Sequence, residues 1–403
     1  MSLDARPDFD REGADSAVRG SNQSGMRAYN ERLVLSIIRQ TGPMPKAAIA
    51  RMTGLSAQTV SVIMRALEQD GLLTKGDPVR GKVGQPSVPI GLAPDGAFFL
   101  GLKVGRGGSE LLLTDFLGKT KINRRKLHHL PTPDGVVAFA DETIREFLAL
   151  LPQEHRARVA GLGIALPFRL WDWSDVSDED SAKLADWRGR DIAAEIGKSW
   201  DFPVYLCNDA SAACGAELVF GGETQPRDFL YFYIGYFVGG GLVMDNALYT
   251  GKSGNAAALG SMQITANGGG RCQLVDVVSL VKLEKMLLSA GEDSNSVWER
   301  SGDWRVSQTV LNAWLDQAAD GLAQAIVAAT CLIDFETVLI DGSLPGEVRA
   351  ELANRAGLAL EKRTVPESSF QKSGKARLVT MPRHLAPPAC RFRTGSLSTV
   401  THF

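Results

Sequence analysis

The stretch "NDASAACGAE", Asn208 to Glu217, follows the apolar run "FPVYLC" and sets an amide beside a carboxylate where a strand should end. In α/β folds a strand end opening onto a helix is a common seat of ligand chemistry. A carboxylate there can accept hydrogen bonds from ligand hydroxyls or take a proton as a general base. Asn208 or Asp209 can equally cap the Ala-rich helix that follows, because both residue types accept the free N–H groups of a first turn. On this stretch alone the two readings stand level.

A second set of chemically able side chains lies near the N-terminus. After the turn "TGLS", with Ser56 as a natural N-cap, Val60, Ile63, Met64 and Leu67 recur at i, i+3, i+4 and i+7 until Gly71. The other face carries Ala57, Gln58, Ser61 and Arg65, with Thr59 beside them, all short or hydrogen-bonding. A helix of that kind can lie in a major groove about 12 Å wide.

The supporting elements fit this reading. "NERLVLSIIRQTG" puts Val34, Ile37 and Ile38 on one helical face from Asn30 onward, and a short helix follows over Lys46 to Met52. Two extended runs in "LLTKGDPVRGKVGQPSVPIGL" flank a Gly/Pro-rich tip with Arg80 and Lys82, a β-wing suited to phosphate or minor groove. Periodicity alone would also describe a three-helix packing domain with a basic surface. Turn, cap, polar face and basic wing together favour DNA.

Composition sets the limits. The chain has 403 residues, 44% of them apolar, enough for two or three domains with filled cores. Its net charge is −2, but residues 27–90 hold nine Lys or Arg against four acids and carry +5. Five scattered cysteines offer neither paired zinc spacing nor a disulfide framework, so a reducing cytoplasm is expected. "FLYFYIGYFVGGGLVM" is shorter than the roughly 20 residues of a spanning helix, so no membrane partner is expected. The polar, charged start gives no secretory signal, and residues 1–25 read as a disordered arm.

Beyond Pro94, strand and helix patterns alternate, which argues for an α/β fold. "AFFLGLKVGRGGSELLLTDFLGKT" reads as a hairpin, "VAGLGIALP" and "FPVYLCND" as buried strands, and "FLYFYIGYFVGGGLVMDNALYTGKSG" as a hairpin with a triple-Gly turn. "LNAWLDQAADGLAQAIVAATCLIDFETVLIDGSLP" gives a long helix, a strand and a Gly-Ser loop.

Taken in order, "GLSAQTVSVIMRALEQDGLL", "GQPSVPIGLAPDG", "LGLKVGRGGSELLLTDFLGK", "ADWRGRDI", "PVYLCNDASAACGAE", "IGYFVGGGLVMDNALYTGKSGNAA" and "CLIDFETVLIDG" resemble the ROK family of repressors and sugar kinases, across nearly all of residues 27–380. The resemblance implies a winged helix over residues 26–92 and an actin-like, two-lobed sugar-kinase fold. Its lobes would span 96–207 and 208–403, the second carrying dimerisation. It also implies that Asn208, Asp209, Lys183 and Ser261 meet a sugar-like effector in the cleft of the ROK domain. In the kinases Asp209 would be the base.

The departures from the family are chemical. Lys103 and "GRG" (Gly105 to Gly107) stand where kinase members carry an Asp and a Gly-Gly-Thr loop, and an ATP·Mg site needs a carboxylate and a small loop. The family Glu and His for sugar and zinc fall at Ala258 and Ser261, the cysteine cluster is reduced to Cys272, and a following Glu falls at Val275. One cysteine cannot build a tetrahedral zinc site. The expectation is a non-enzymatic cytoplasmic regulator, a repressor of carbohydrate-utilisation genes, with no metal and no cofactor. It would bind double-stranded operator DNA and a sugar-like effector as a homodimer or dimer of dimers. A sugar kinase with an appended winged helix, or a regulator answering to a non-carbohydrate ligand, are the alternatives. The closing stretch "MPRHLAPPACRFRTGSLSTVTHF" does not match the family's Ala/Gly-rich final helix.

Overall fold

A computed structural model of the chain describes residues 23–78, 87–168, 170–172, 178–221, 226–266, 268–298, 304–363 and 377–379. Arg80, Lys82, most of the expected N-terminal arm and the divergent C-terminal stretch lie outside the described residues. The chain divides into two compact units at the step from Cys207 to Asn208.

The first unit begins with three helices, α1 (Gln23–Thr41), α2 (Lys46–Thr53) and α3 (Ala57–Gln69). α1 starts seven residues before the expected Asn30, so residues 23–25 are helical rather than part of an arm. The predicted apolar positions make the core: Val34, Val60 and Met64 are fully buried, and Ile49 of α2 joins them. Strands β1 (Leu73–Lys75) and β2 (Ile90–Leu92) pair antiparallel with Leu73 opposite Leu92 and form the base of the wing.

A five-stranded mixed sheet follows, built from β3 (Phe98–Gly105), β4 (Gly108–Thr114), β5 (Thr120–Leu127), β6 (Val159–Leu166) and β7 (Val204–Asn208). The strand order is β5-β4-β3-β6-β7, with β3 antiparallel to β4 and parallel to β6. Helix α4 (Pro133–Leu150) buries Val136, Ala140, Ile144 and Phe147. The short α5 (Gln153–Arg156), α6 (Asp178–Ala185) and α7 (Ile192–Gly197) complete the connections. The motif "ADWRGRDI" acts here as a tie: Trp187 Nε1 donates to Pro131 O at 2.9 Å, and Arg190 bridges Glu195 and Asp134. These hydrogen bonds, that to Glu195 foremost, raise the basicity of Arg190 and hold the Glu195 carboxyl below its ordinary value.

The second unit repeats the sheet pattern in the order β10-β9-β8-β13-β14. Its elements are α8 (Asp209–Phe220), β8 (Phe229–Ile234), β9 (Val238–Met244), β10 (Ala247–Leu248), β11 (Gln263–Thr265), β12 (Arg271–Gln273), α9 (Val275–Val278), α10 (Leu280–Ser289), α11 (Gln308–Thr330), β13 (Thr337–Gly342), α12 (Gly346–Glu361) and β14 (Arg377–Val379). β8 is antiparallel to β9 and parallel to β13. Helix α11 supplies Trp314, Ala318, Leu322 and Ile326 to the main core.

The triple glycine corrects the sequence reading. Gly239, Gly240 and Gly241 lie inside strand β9, and the hairpin turn is at residues 235–237, where Gly235 N donates to Phe237 O. The glycines are needed for close packing. A Cβ on Gly239 would lie 2.5 Å from Ala210 Cβ, one on Gly240 would lie 2.4 Å from Leu259 Cδ1, and one on Gly241 would lie 2.2 Å from Cys214 Cβ. Helix α8 therefore rests directly on the backbone of β9. Gly241→Ala forces strand and helix apart and should cost about 1–3 kcal/mol, the usual cost of overpacking a filled core. Gly107→Ala, where nothing lies within 4 Å of the added Cβ, should be neutral. Urea denaturation midpoints of the two variants check the contrast.

Candidate functional site: a recognition helix and a strand-end carboxylate

Gly54 ends α2 in the left-handed region, with φ of 69°, and Ser56 is extended. Its Oγ accepts from Thr59 N at 3.1 Å, as the cap predicts. The buried stripe of α3, Val60, Ile63, Met64 and Leu67, fixes which face turns outward. Gln58 and Arg65 are exposed there, as expected. Thr59 and Ser61 serve the helix itself: Thr59 Oγ1 pairs with Ser56 Oγ at 2.8 Å, and Ser61 Oγ donates to Ala57 O at 2.8 Å. Both are only partly exposed.

The C-terminal end of α3 is closed by a Schellman arrangement. Leu72 N donates to Leu67 O at 2.9 Å and Gly71 N to Glu68 O at 3.1 Å, with Gly71 at φ of 73°. Sequence reasoning missed what grips this end. Arg158, one residue before β6, donates from Nη1 to Asp70 O and to Gly96 O, both at 3.1 Å. A cation at a helix C-terminus also meets the negative end of the helix dipole. A Cβ on Gly71 would lie 2.9 Å from Arg158 Nη2, so glycine serves both the turn and the contact.

A second tie runs from α1. Arg39 donates from Nη2 to Phe116 O, and its guanidinium lies 5.2 Å from the centroid of the Phe116 ring. Phe116 comes from the turn after β4, yet it packs in the same apolar cluster as Val34, Ile38 and Leu67. The winged helix and the first sheet thus share a core. The sequence separations of 88 residues for Arg158–Asp70 and 77 for Arg39–Phe116 explain why no local pattern announces these ties.

The β3–β4 hairpin carries Lys103 directly opposite Glu110, and Arg106 sits in the turn between the strands. Glu110 is buried and accepts from Asn123 Nδ2 at 2.7 Å. Beside the turn, His128 N donates to Gly107 O, and its Nε2 lies 3.1 Å from Ser109 Oγ. Burial lowers the His128 pKa. Lys183 lies on α6, exposed and engaged by its own helix: its ammonium is 2.8 Å from Glu179 and 3.7 Å from Asp180. The hydrogen bond to Glu179 raises its pKa.

In the second unit Asn208 caps α8, its Oδ1 accepting from Ala210 N at 3.1 Å. Asp209 Oδ1 accepts from the same N–H at 2.9 Å. The capping reading of the strand end is therefore realised in the structure, with both side chains accepting from the same N–H. Ser261 is exposed at the end of a 3-10 turn, Leu259–Ser261. Strand β9 supports both segments: Ala210 of α8 sits against Gly239, and Leu259 against Gly240, the next residue along. Adjacent positions on a strand face opposite ways, so α8 and the 3-10 turn approach β9 from its two faces. Cys272 lies in β12, half-buried, and burial pushes its thiol pKa up. Among the described residues no group of three or more His, Cys, Asp or Glu side chains is placed to hold a metal ion. No helix among them is long and apolar enough to cross a membrane.

A capped helix-turn-helix with a wing, followed by two five-stranded units of matching strand pattern, defines a winged helix joined to an actin-like domain of the sugar-kinase type. Residues 99–349 match the ROK family and residues 27–74 match the winged helix-turn-helix DNA-binding family. The chain belongs to the ROK family. It is 27% identical over 330 residues to the uncharacterized protein y4fQ of Sinorhizobium fredii, covering 81% of each chain. It is 25% identical over 252 residues to the xylose repressor of Bacillus subtilis, covering 62% of this chain and 64% of that one. The match to the DNA-binding transcriptional repressor Mlc of Escherichia coli is 23% over 256 residues, 61% of this chain and 62% of that protein. Among solved structures, a ROK family transcriptional regulator homologous to Mlc superposes with a TM-score of 0.66 at 21% identity, over 94% of this chain and 99% of that one.

Arg158→Ala removes both hydrogen bonds at the end of α3 while leaving the shared apolar core in place. The amides of residues 67–72 should then exchange with solvent faster, by roughly tenfold or more, since a charged hydrogen bond is worth about 1.5–3 kcal/mol. Hydrogen exchange with mass spectrometry reads this directly.

Proposed function

We propose that this chain is a DNA-binding transcriptional regulator, a repressor of carbohydrate-utilisation genes, in which the ROK domain binds a sugar or sugar derivative and does not phosphorylate it. The observation that carries the reading is the recognition helix: α3 is capped by Ser56, buried on one face and exposed at Gln58 and Arg65 on the other. Gln and Arg are the side chains that pair bidentately with adenine and guanine edges in a major groove. The names of the xylose repressors and Mlc support the repressor role and a sugar as effector. Lys103 and Arg106 in the first hairpin supply no carboxylate for a metal–nucleotide complex, which supports regulation without catalysis. A homodimer would place two copies of α3 about one helical turn apart on DNA.

In this reading Asp209, beside the capping Asn208, accepts hydrogen bonds from effector hydroxyls, with Ser261 of the same unit as a further contact. Asp209→Asn keeps the oxygen that accepts from Ala210 N but removes the charge, so the fold should persist. Charged hydrogen bonds are worth roughly 1.5–3 kcal/mol each, so effector affinity should fall about ten- to a hundredfold while effector-free operator affinity holds. Titration of operator release with monosaccharides, run beside an ATP-consumption assay, checks this. An unchanged response would return Asp209 to a purely capping role, and sugar-dependent ATP consumption by the parent would make the chain a kinase. On the DNA side, Gln58→Ala and Arg65→Ala should each cost about 1–3 kcal/mol on the operator and relax its sequence requirement, read by fluorescence anisotropy.

A further inference from the structure

Four exposed side chains run in one line along α3: Gln58, Val62, Arg65 and Gln69, spaced four, three and four residues apart. Three of them are long and polar. Val62 is neither, and 57% of it is exposed. A β-branched residue is a poor choice for a solvent-facing helix position, and its apolar surface gains nothing from water. Packing inside the winged helix does not account for it, because that role belongs to Val60, Ile63, Met64 and Leu67, each at most 4% exposed.

The surroundings say what could cover it. The segment 27–90 carries nine basic residues against four acids, which suits a polyanion better than an apolar protein surface. The edges of the B-DNA major groove are polar except at the thymine C5-methyl group. The geometry points to Val62 as a specificity-determining residue that packs against a thymine methyl, between the bases met by Gln58 and Arg65. This inference rests on the DNA-binding reading and assigns one of its contacts. It also fills a gap left by the structure, since the hydroxyls of Thr59 and Ser61 are engaged within the helix. At a rise of 1.5 Å per residue, Gln58 and Arg65 are about 10 Å apart along the helix, or about three base-pair steps of 3.4 Å. Each half-site should therefore hold a thymine within about four base pairs that also contain the adenine suited to Gln58 and the guanine suited to Arg65.

The test uses the full chain and duplexes it selects from a random pool. Each thymine of the selected half-site is replaced singly by deoxyuridine, which removes the methyl group and keeps every hydrogen-bonding edge. For the parent, one thymine per half-site should show about a fourfold loss of affinity, the effect of burying one methyl-sized group. Val62→Ala, at an exposed position where alanine is the better helix former, should bind thymine and deoxyuridine duplexes alike. Parent binding that ignores every deoxyuridine overturns the inference, and so does undiminished discrimination in Val62→Ala. Failure to enrich any sequence would instead overturn the DNA-binding reading beneath it.

Discussion

The contact on which the arrangement of the first unit turns is a guanidinium at the end of a helix. Arg158 holds the carbonyls of Asp70 and Gly96, and so joins the last turn of the recognition helix to the polypeptide that enters β3 and to the start of β6. Hydrogen bonds to a charged donor are stronger and more directional than neutral ones, so a single residue can fix an orientation that apolar packing alone would leave sliding. Arg39 and Phe116 add the apolar half of the same joint. A winged helix tethered only by a linker would report nothing about the domain behind it. One that shares a core and two arginine ties with the first sheet can be tilted by that sheet.

Strand β6 leaves this joint and lies next to β7, whose last residue is Asn208. The sheet thus runs from the helix that would read DNA to the strand end where a ligand carboxylate would stand. Beyond Asn208 the position of α8 is set by contact with bare backbone at Gly239 and Gly241. Such close packing leaves α8 little room to shift along β9.

What was legible in the sequence was what repeats locally. The apolar stripe of α3, the Ser56 cap, the first hairpin and the strand before Asn208 follow from periods of 3.6 and 2 and from capping chemistry. The triple glycine reads as a turn because glycine runs mark turns, yet it lies inside a strand. Its actual reason, an approaching helix, comes from residues more than twenty positions away. The first turn of α1 was lost because "QSGMRAY" has no apolar rhythm. Arg158 and Arg39 were invisible because basic residues usually face solvent, and their partners are distant carbonyls. Val62 gives no signal of its own: a valine in a helix beside core positions reads as core, yet it is exposed. At the effector site the residue types drew attention to Asn208 and Asp209, but only coordinates show that both oxygens accept from one N–H.

If, as proposed, a sugar is held at Asp209, the joint at Arg158 is the route by which it would alter the recognition helix. Hydrogen exchange on the DNA-free chain, with and without the monosaccharide that releases the operator, tests it most directly. Protection should change at residues 208–215 together with residues 67–72 and 116, and Arg158→Ala should keep the first change while losing the second. Protection changes confined to residues 208–363, with the winged helix unaffected in the parent protein, would contradict it.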